Sequence, residues 1–182
     1  PVIPENNAFS LVLTDLQVTG LLDLTLEEAR NTLQNKLGTD LYNQLDGSKE
    51  MVALTSLAFN GPVLIGEGLT GALENGDRAE AWFEIRYHSN ADGVNANRRY
   101  YESDMFGLYN ETPTGEDYLS VYRMYTRHRD DTLYGQAGLL GYEQHWQPPS
   151  DGEFQDLEAV FQPAYQYLVA EYGEPGVAID YR

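Results

Sequence analysis

Arginines concentrate in one short part of a chain that otherwise carries few cations. The sequence has 11 Lys and Arg residues against 29 Asp and Glu, and its net charge is −18. Four of the nine arginines lie between positions 78 and 99: Arg78, Arg86, Arg98 and Arg99. A guanidinium group binds a carboxylate through two parallel hydrogen bonds. This local excess therefore predicts a clamp for carboxylates on a ligand.

Glutamates at helical spacing accompany these arginines. Arg98 and Glu102 stand at positions i and i+4, so they are able to pair on one helix face. Glu80 and Glu84 have the same spacing, with Arg86 close by in sequence. The alternative interpretation is a surface ion-pair network, which would contribute little to stability. Spacing alone leaves both interpretations open.

Aromatic residues add flat apolar surface to the same segment. They include Trp82, Phe83, Tyr87, Tyr100, Tyr101 and Tyr109. Aromatic rings can stack on sugar rings, but most aromatic residues at helical spacing pack in a core. We expect core packing for Trp82. For Tyr87, near the end of its predicted helix, both roles stay open.

Composition limits the class of protein. A length of 182 residues with 42% hydrophobic content suits one globular domain with a real core. The negative charge disfavours nucleic-acid and anionic-lipid partners, and no apolar run reaches the roughly 18 residues of a membrane span. The sequence has no cysteine, so disulfides and Cys-type zinc sites are excluded. The start at Pro1 lacks signal-peptide features, and we expect a processed or truncated chain.

The sequence predicts no cofactor and no transition-metal site. The three histidines are widely spaced, and none belongs to an HExxH pattern. Two acidic segments, Asp130-Asp131 and Asp151-x-Glu153-x-x-Asp156, offer oxygen ligands for calcium, but neither fits the EF-hand loop. A solvated face or a helix N-terminus is the simpler interpretation of both segments.

Apolar spacing and capping signals predict a mainly α fold. The predicted helices cover residues 25–37, 48–59, 68–75, 77–87, 94–106, 117–129 and 154–172. In the first of these, Thr25 and Glu28 form a capping box, and Gly38 is the predicted stop. Gly20 is predicted to break the poorly patterned start of the chain. We expect residues 1–112 to form a helical lobe and residues 113–182 a helical extension packed on the same domain.

The second predicted helix is apolar nearly all round, which indicates a buried central helix. Ser48 is its predicted N-cap, and Asn60-Gly61-Pro62 its end, with Gly61 in a left-handed conformation. Farther on, Asp77 and Glu80 form another predicted capping box. Residues 130–152 are rich in glycine and proline, so we expect a loop there.

Five segments in order resemble the larger helical lobe of the phage-type lysozymes (endolysin muramidases, glycoside hydrolase family 24). They are the capped helix from Thr25 to Leu33, the small-residue helix from Ala53 to Asn60, the turn-containing stretch from Leu69 to Asp77, the aromatic helix end from Trp82 to Tyr87, and the Gly-to-paired-arginine segment from Gly93 to Glu102. The resemblance covers residues 25–109.

This resemblance implies hydrolysis of the β-1,4 bond between N-acetylmuramic acid and N-acetylglucosamine in peptidoglycan, by a secreted or phage-released protein. It implies that Asn60, Arg86 and Tyr87 line the saccharide cleft. It further implies that Arg98 and Arg99 either reach carboxylates of the peptide stem or brace the fold.

The family's catalytic acid is a Glu at the end of an N-terminal helix, followed by a Gly-rich hairpin. By that pattern Glu5 is the candidate acid in this chain; otherwise the acid belongs to a preceding segment or is absent. Two alternatives stay open beside the enzyme: a catalytically silent glycan-binding or structural module, and an acidic helical interaction domain.

Overall fold

The described part of the chain is built from eight α-helices, one 3₁₀ turn and one π-helical turn, and it contains no strand. The computed structural model describes residues 13–88, 93–130, 138–148 and 152–174. The helices are α1 (Asp15–Leu45), α2 (Lys49–Asn60), α3 (Glu67–Glu74), α4 (Arg78–Phe83), α5 (Ala96–Phe106), α6 (Gly115–His128), α7 (Gly138–Glu143) and α8 (Leu157–Tyr172). The 3₁₀ turn is Pro62–Leu64 and the π turn is Glu84–His88. The prediction of a mainly α fold is confirmed.

Helix α1 begins ten residues before the predicted start at Thr25, which corrects that boundary. Its capping box is formed by Thr14, whose hydroxyl accepts from the Gln17 amide, while the Gln17 side chain accepts from the Thr14 amide. Thr25 lies inside the helix, and its hydroxyl donates to the Leu21 carbonyl at 3.0 Å. Gly20 does not break the helix, because one glycine costs only about 1 kcal/mol in a helix interior.

Gly38 is where α1 changes direction. Its φ of 74° and ψ of 161° are not helical, and a second helical stretch continues from there to Leu45. A side chain would be strained at this φ, so the glycine permits the bend. The predicted stop is therefore correct in position, although the chain returns to helix directly after it.

Several helix ends were predicted correctly from local signals. Ser48 caps α2 by accepting from the Met51 amide at 3.1 Å, and Asp77 caps α4 by accepting from the Glu80 amide at 3.2 Å. The second half of the predicted capping box is not formed, because the Glu80 side chain pairs with His128. Gly61 ends α2 as expected, but its φ of 175° is extended rather than left-handed. The predicted loop over residues 130–152 contains the short helix α7, which is a correction.

One hydrophobic core joins all eight helices. It includes Leu33 of α1, Leu54 of α2, Phe83 of α4, Met124 of α6 and Ala164 of α8, which are all buried. Helix α2 packs against α1 and α5, and α6 packs against α4 and α8. The predicted extension thus shares its core with the predicted lobe, while the boundary near residue 113 stays a prediction. Among the described helices, none is both long and apolar enough to cross a membrane.

Large apolar side chains remain exposed on the first half of α1 and on one face of α2. Leu16, Leu21 and Leu24 are among those on α1, and Leu16 is 83% exposed. On α2, Val52 and Phe59 are exposed, so the prediction that this helix is buried all round is wrong. A helix buries every face only when neighbours surround it, and α2 has an open side.

Candidate functional site

A cavity of about 510 Å³ opens between α1, α2 and the first turn of α5. We call it the Arg98 groove and define it by its apolar and cationic walls, which are formed by Leu22, Leu26, Val52, Phe59, Arg30 and Arg98. Ser48, Thr55, Ser56 and the exposed Asp46 also line it, and the three hydroxyls donate to other groups of the protein. The groove therefore places cations and hydroxyls beside apolar surface, an arrangement that suits an amphipathic ligand carrying a negative charge.

A buried carboxylate holds the arginine side of this groove in place. Glu102 pairs with both Arg98 and Arg99, and its Oε1 accepts from Arg98 Nε at 3.0 Å. The same oxygen accepts from the Ser56 hydroxyl at 2.6 Å, and Arg98 Nη2 donates to the Ser56 carbonyl at 3.2 Å. Two guanidinium groups share one carboxylate, which leaves the cluster with a net positive charge.

The two arginines of this cluster have different surroundings. The Arg98 side chain is 41% exposed and faces the groove, whereas Arg99 is 0% exposed. Two Arg99 nitrogens, Nε and Nη2, are buried without a hydrogen-bond partner. Burial lowers the pKa of Arg99, and the neighbouring Glu102 charge opposes that effect. Of the two roles implied for these residues, Arg99 takes the bracing one, and Arg98 is available to a ligand.

Arg86 and Tyr87 lie in the interior and not in the Arg98 groove, so their implied role in a saccharide cleft stays a prediction. Arg86 is 2% exposed, and its guanidinium carbon lies 4.0 Å from the ring centroids of both Trp82 and Tyr100. Tyr87 is 0% exposed and packs on Phe83. Neither residue lines the Arg98 groove, because the π turn directs both side chains into the protein. Trp82 is buried, as expected for a core residue.

Asn60 is the last residue of α2, and its side chain is exposed. It follows directly after Phe59, which lines the Arg98 groove. Asn60 itself does not line the groove, and Arg86, Tyr87 and Arg99 are buried. Of the five residues implied for saccharide binding, only Arg98 lines the groove.

Glu143 of α7 is a half-buried carboxylate that sequence reasoning missed. Its Oε1 accepts from the Tyr87 hydroxyl at 2.7 Å and from the Leu157 amide at 3.0 Å. Burial raises the pKa of Glu143 above its ordinary value, although both hydrogen bonds favour the charged form. Burial also raises the pKa of Tyr87. No ion pair to Glu143 is formed within the described ranges, and no sequence pattern around it would have marked it as buried.

We expect Glu143→Gln to stabilise the protein at pH 7 by only about 0.5 kcal/mol, because it removes a half-buried charge that solvent partly screens and keeps an oxygen that can accept both hydrogen bonds. A raised carboxyl pKa means that the folded state retains its proton longer than the unfolded state. Stability from this group is therefore lost as pH rises from the unfolded pKa through the folded pKa. Urea unfolding between pH 4 and 8 measures this slope, which the variant should lack.

The exposed Glu153 provides the control for this substitution. Glu153→Gln should leave both stability and its pH dependence unchanged. A Glu143→Gln variant that is less stable than the natural chain at pH 7 would show that the charge itself strengthens the hydrogen bonds to Tyr87 and Leu157.

Glu80 and Glu84 pair with histidines rather than with Arg86. Glu84 Oε1 lies 2.8 Å from His88 Nδ1, and Glu80 Oε1 lies 2.7 Å from His128 Nε2 on α6. Burial alone would raise the pKa of Glu80, but His128 and Arg127 outweigh it and lower that pKa. The Glu80–His128 pair joins α4 to α6, whereas the Glu84–His88 pair lies within the π turn. Around Glu80, the ion pairs thus form a half-buried link between helices.

The remaining predicted sites lie partly outside the described residues. Glu5, Asp131 and Asp151 lie outside the described residues. Asp156 caps α8 by accepting from the Ala159 amide at 2.7 Å, which matches the helix N-terminus interpretation of its acidic segment. Within the described ranges, no group of three or more His, Asp or Glu side chains is placed to hold a metal ion.

Sequence reasoning missed Arg30 and the apolar wall of the Arg98 groove. Arg30 is separated from Arg98 by 68 positions, so no local pattern relates them. The one sequence feature that could have indicated Arg30 is the scarcity of cations in this chain, because each arginine is then a candidate for a specific role. Val52 and Phe59 were assigned to the core because helical spacing cannot show which side of a helix lacks a neighbour.

Comparisons of the chain with protein-family models, with curated proteins and with solved structures found no match. The resemblance to phage-type lysozymes therefore depends on the residues between positions 25 and 109 and stays a prediction.

Proposed function

We propose that this chain is the saccharide-binding helical lobe of a lysozyme-like muramidase that acts on peptidoglycan. The observation that carries the proposal is the Arg98 groove, in which two arginines lie beside exposed apolar side chains. In a protein with a net charge of −18, two arginines against the one lining carboxylate of Asp46 make a local site for an anionic group.

The chemistry of a peptidoglycan fragment fits this groove. Its N-acetyl methyl groups and sugar faces suit the apolar wall formed by Leu26, Val52 and Phe59. Its carboxylates suit Arg98 and Arg30, which are exposed enough to form charge-assisted hydrogen bonds. The shared Glu102 fixes the Arg98 side chain before a ligand arrives, which reduces the entropy lost on binding.

Bond cleavage needs a general acid with a raised pKa next to the scissile bond. Glu102 is not free to act on a ligand, because its carboxylate is already bonded to two arginines and to the Ser56 hydroxyl. Glu143 has a raised pKa but does not line the Arg98 groove. We therefore assign the acid to Glu5 or to a preceding segment. We propose that the segment carrying the acid contacts the exposed apolar residues of α1. Leu22 is one of these exposed residues and also lines the groove, so the acid would lie close to the bound saccharide.

We expect Arg98→Ala to weaken the binding of N-acetylglucosaminyl-N-acetylmuramyl dipeptide about tenfold, the effect of losing one charge-assisted hydrogen bond pair. Titration calorimetry or NMR titration measures the dissociation constant. Arg129→Ala is the matched control, because Arg129 is an exposed arginine at the end of α6 whose loss should leave binding unchanged. Equal affinities for Arg98→Ala and the natural chain would refute the role of the groove.

Hydrolysis of peptidoglycan distinguishes a muramidase from a catalytically silent module that binds a glycan in the same groove. Release of reducing sugar ends from purified peptidoglycan by the full gene product supports the muramidase. Binding of N-acetylglucosaminyl-N-acetylmuramyl dipeptide (the muropeptide) without any hydrolysis supports the silent module instead. The Arg98→Ala experiment tests the groove in either case, because the enzyme and the silent module would bind the muropeptide in the same way.

A further inference from the structure

A second cavity, of about 230 Å³, lies where α8 meets α4 and α5. We call it the Arg86 pocket. Its lining includes Trp82, Arg86, Tyr100, Asp104, Ala159 and Val160. It shares no lining residue with the Arg98 groove. We propose that the Arg86 pocket binds a small planar monocarboxylate with an apolar body, held at the edge of the Arg86 guanidinium.

Two aromatic rings lie close to the Arg86 guanidinium, and several of its N–H donors remain open. Trp82 and Tyr100 lie near it, each with its ring centroid 4.0 Å from the guanidinium carbon. Nε donates to the Ser103 hydroxyl at 2.8 Å, and Nη1 donates to the Gln155 carbonyl at 3.4 Å. A guanidinium has five N–H donors, so the remaining three, on Nη1 and Nη2, have no acceptor among the described residues. Two neighbouring donors in one plane match the two oxygens of a carboxylate.

Arg86 is a buried cation that lacks the bonded carboxylate such a residue usually has. The side chain is 2% exposed, and no carboxylate within the described ranges forms an ion pair with it. Burial lowers the pKa of Arg86, and the nearby Asp104 and Glu143 charges only partly oppose this. A buried cation without a bonded counterion is unfavourable. A carboxylate ligand would supply that counterion and the missing acceptors together.

The walls, volume and charge of the Arg86 pocket determine which anions fit it. Tyr100, Trp82 and Val160 give it apolar and aromatic walls that suit a flat hydrocarbon body. A volume of about 230 Å³ holds roughly seven waters, since each occupies about 30 Å³ in the liquid, and this suits a ligand of benzoate size. Asp104 is exposed at the edge of the pocket, and its charge disfavours dianions such as phosphate.

Titration of the full chain with sodium benzoate, followed by NMR, tests this site. Trp82 lines the pocket, and the chain has only two tryptophans, so Trp146→Phe assigns the Trp82 indole signal. We expect a saturable shift of that signal with a dissociation constant in the millimolar range. Benzamide has the same shape without the charge and should bind at least tenfold more weakly. Absence of a shift at 20 mM benzoate, or equal binding of benzamide, would overturn the proposal.

Two variants that retain Arg86 test whether benzoate binds in the Arg86 pocket. Ala159 is exposed on α8 and lines the pocket, so Ala159→Met should fill the space, abolish the benzoate shift and keep the fold. Asp104→Asn removes the repelling charge and should tighten benzoate binding about three- to tenfold at low salt. Unchanged affinity in both variants would exclude this pocket. The muropeptide titration concerns the other cavity, so the two proposals succeed or fail separately.

Discussion

Glu102→Gln should lower the free energy of unfolding by about 3–5 kcal/mol, the usual cost of removing one partner of a buried ion pair. Glu102 is the only carboxylate that pairs with Arg99 within the described ranges, and Arg99 is fully buried. Two nitrogens of Arg99 already lack a partner, so the variant would leave a buried cation with almost no compensation. Urea unfolding monitored by tryptophan fluorescence gives the free energy.

A second substitution shows whether the uncompensated charge of Arg99 causes the loss of stability in Glu102→Gln. Arg99→Met in the Glu102→Gln background removes the buried cation and should recover at least half of the lost stability. Asp130→Asn serves as the control, because the Arg129–Asp130 pair is exposed and should contribute little. A double variant no more stable than Glu102→Gln alone would mean that the carboxylate acts through Ser56 and Arg98 instead.

Trp82→Ala should cost about 3–5 kcal/mol, the range measured for large aromatic residues deleted from cores. Trp82 is 2% exposed, contacts Tyr87 edge to face at a centroid distance of 6.4 Å, and covers the Arg86 guanidinium. Its loss would leave a cavity and would also remove a cation–π contact from a desolvated arginine. Thermal and urea unfolding measure the effect. Tyr101→Ala, at a half-exposed aromatic on α5, should cost about 1 kcal/mol or less.

The more conservative Trp82→Phe separates a core role from a sugar-stacking role. Since Trp82 does not line the Arg98 groove, this variant should bind the muropeptide with the affinity of the natural chain. A tenfold loss of muropeptide affinity in a folded Trp82→Phe protein would mean that the ring stacks on the saccharide, and would move the proposed site to the Arg86 pocket.

Prediction from the sequence succeeded where a few neighbouring residues decide the structure. Ser48 and Asp77 each satisfy a backbone amide three positions away, and such caps work whatever the rest of the chain does. It failed at Thr25, which has the spacing of a capping box but lies inside α1. A capping signal has no effect when the helix already extends through it, and the stronger start at Thr14 precedes it.

The sequence by itself determined the mainly α class, most helix ends and the local excess of arginines, because these follow from residue type and spacing over a few positions. Only the tertiary structure decided what each arginine does. Arg98 and Arg99 are adjacent in sequence, yet one faces a groove and the other is buried, since successive helix residues point about 100° apart. Arg86 is in the interior because Trp82 of α4 and Tyr100 of α5 pack against its guanidinium, and no local pattern shows which helix will cover which side chain.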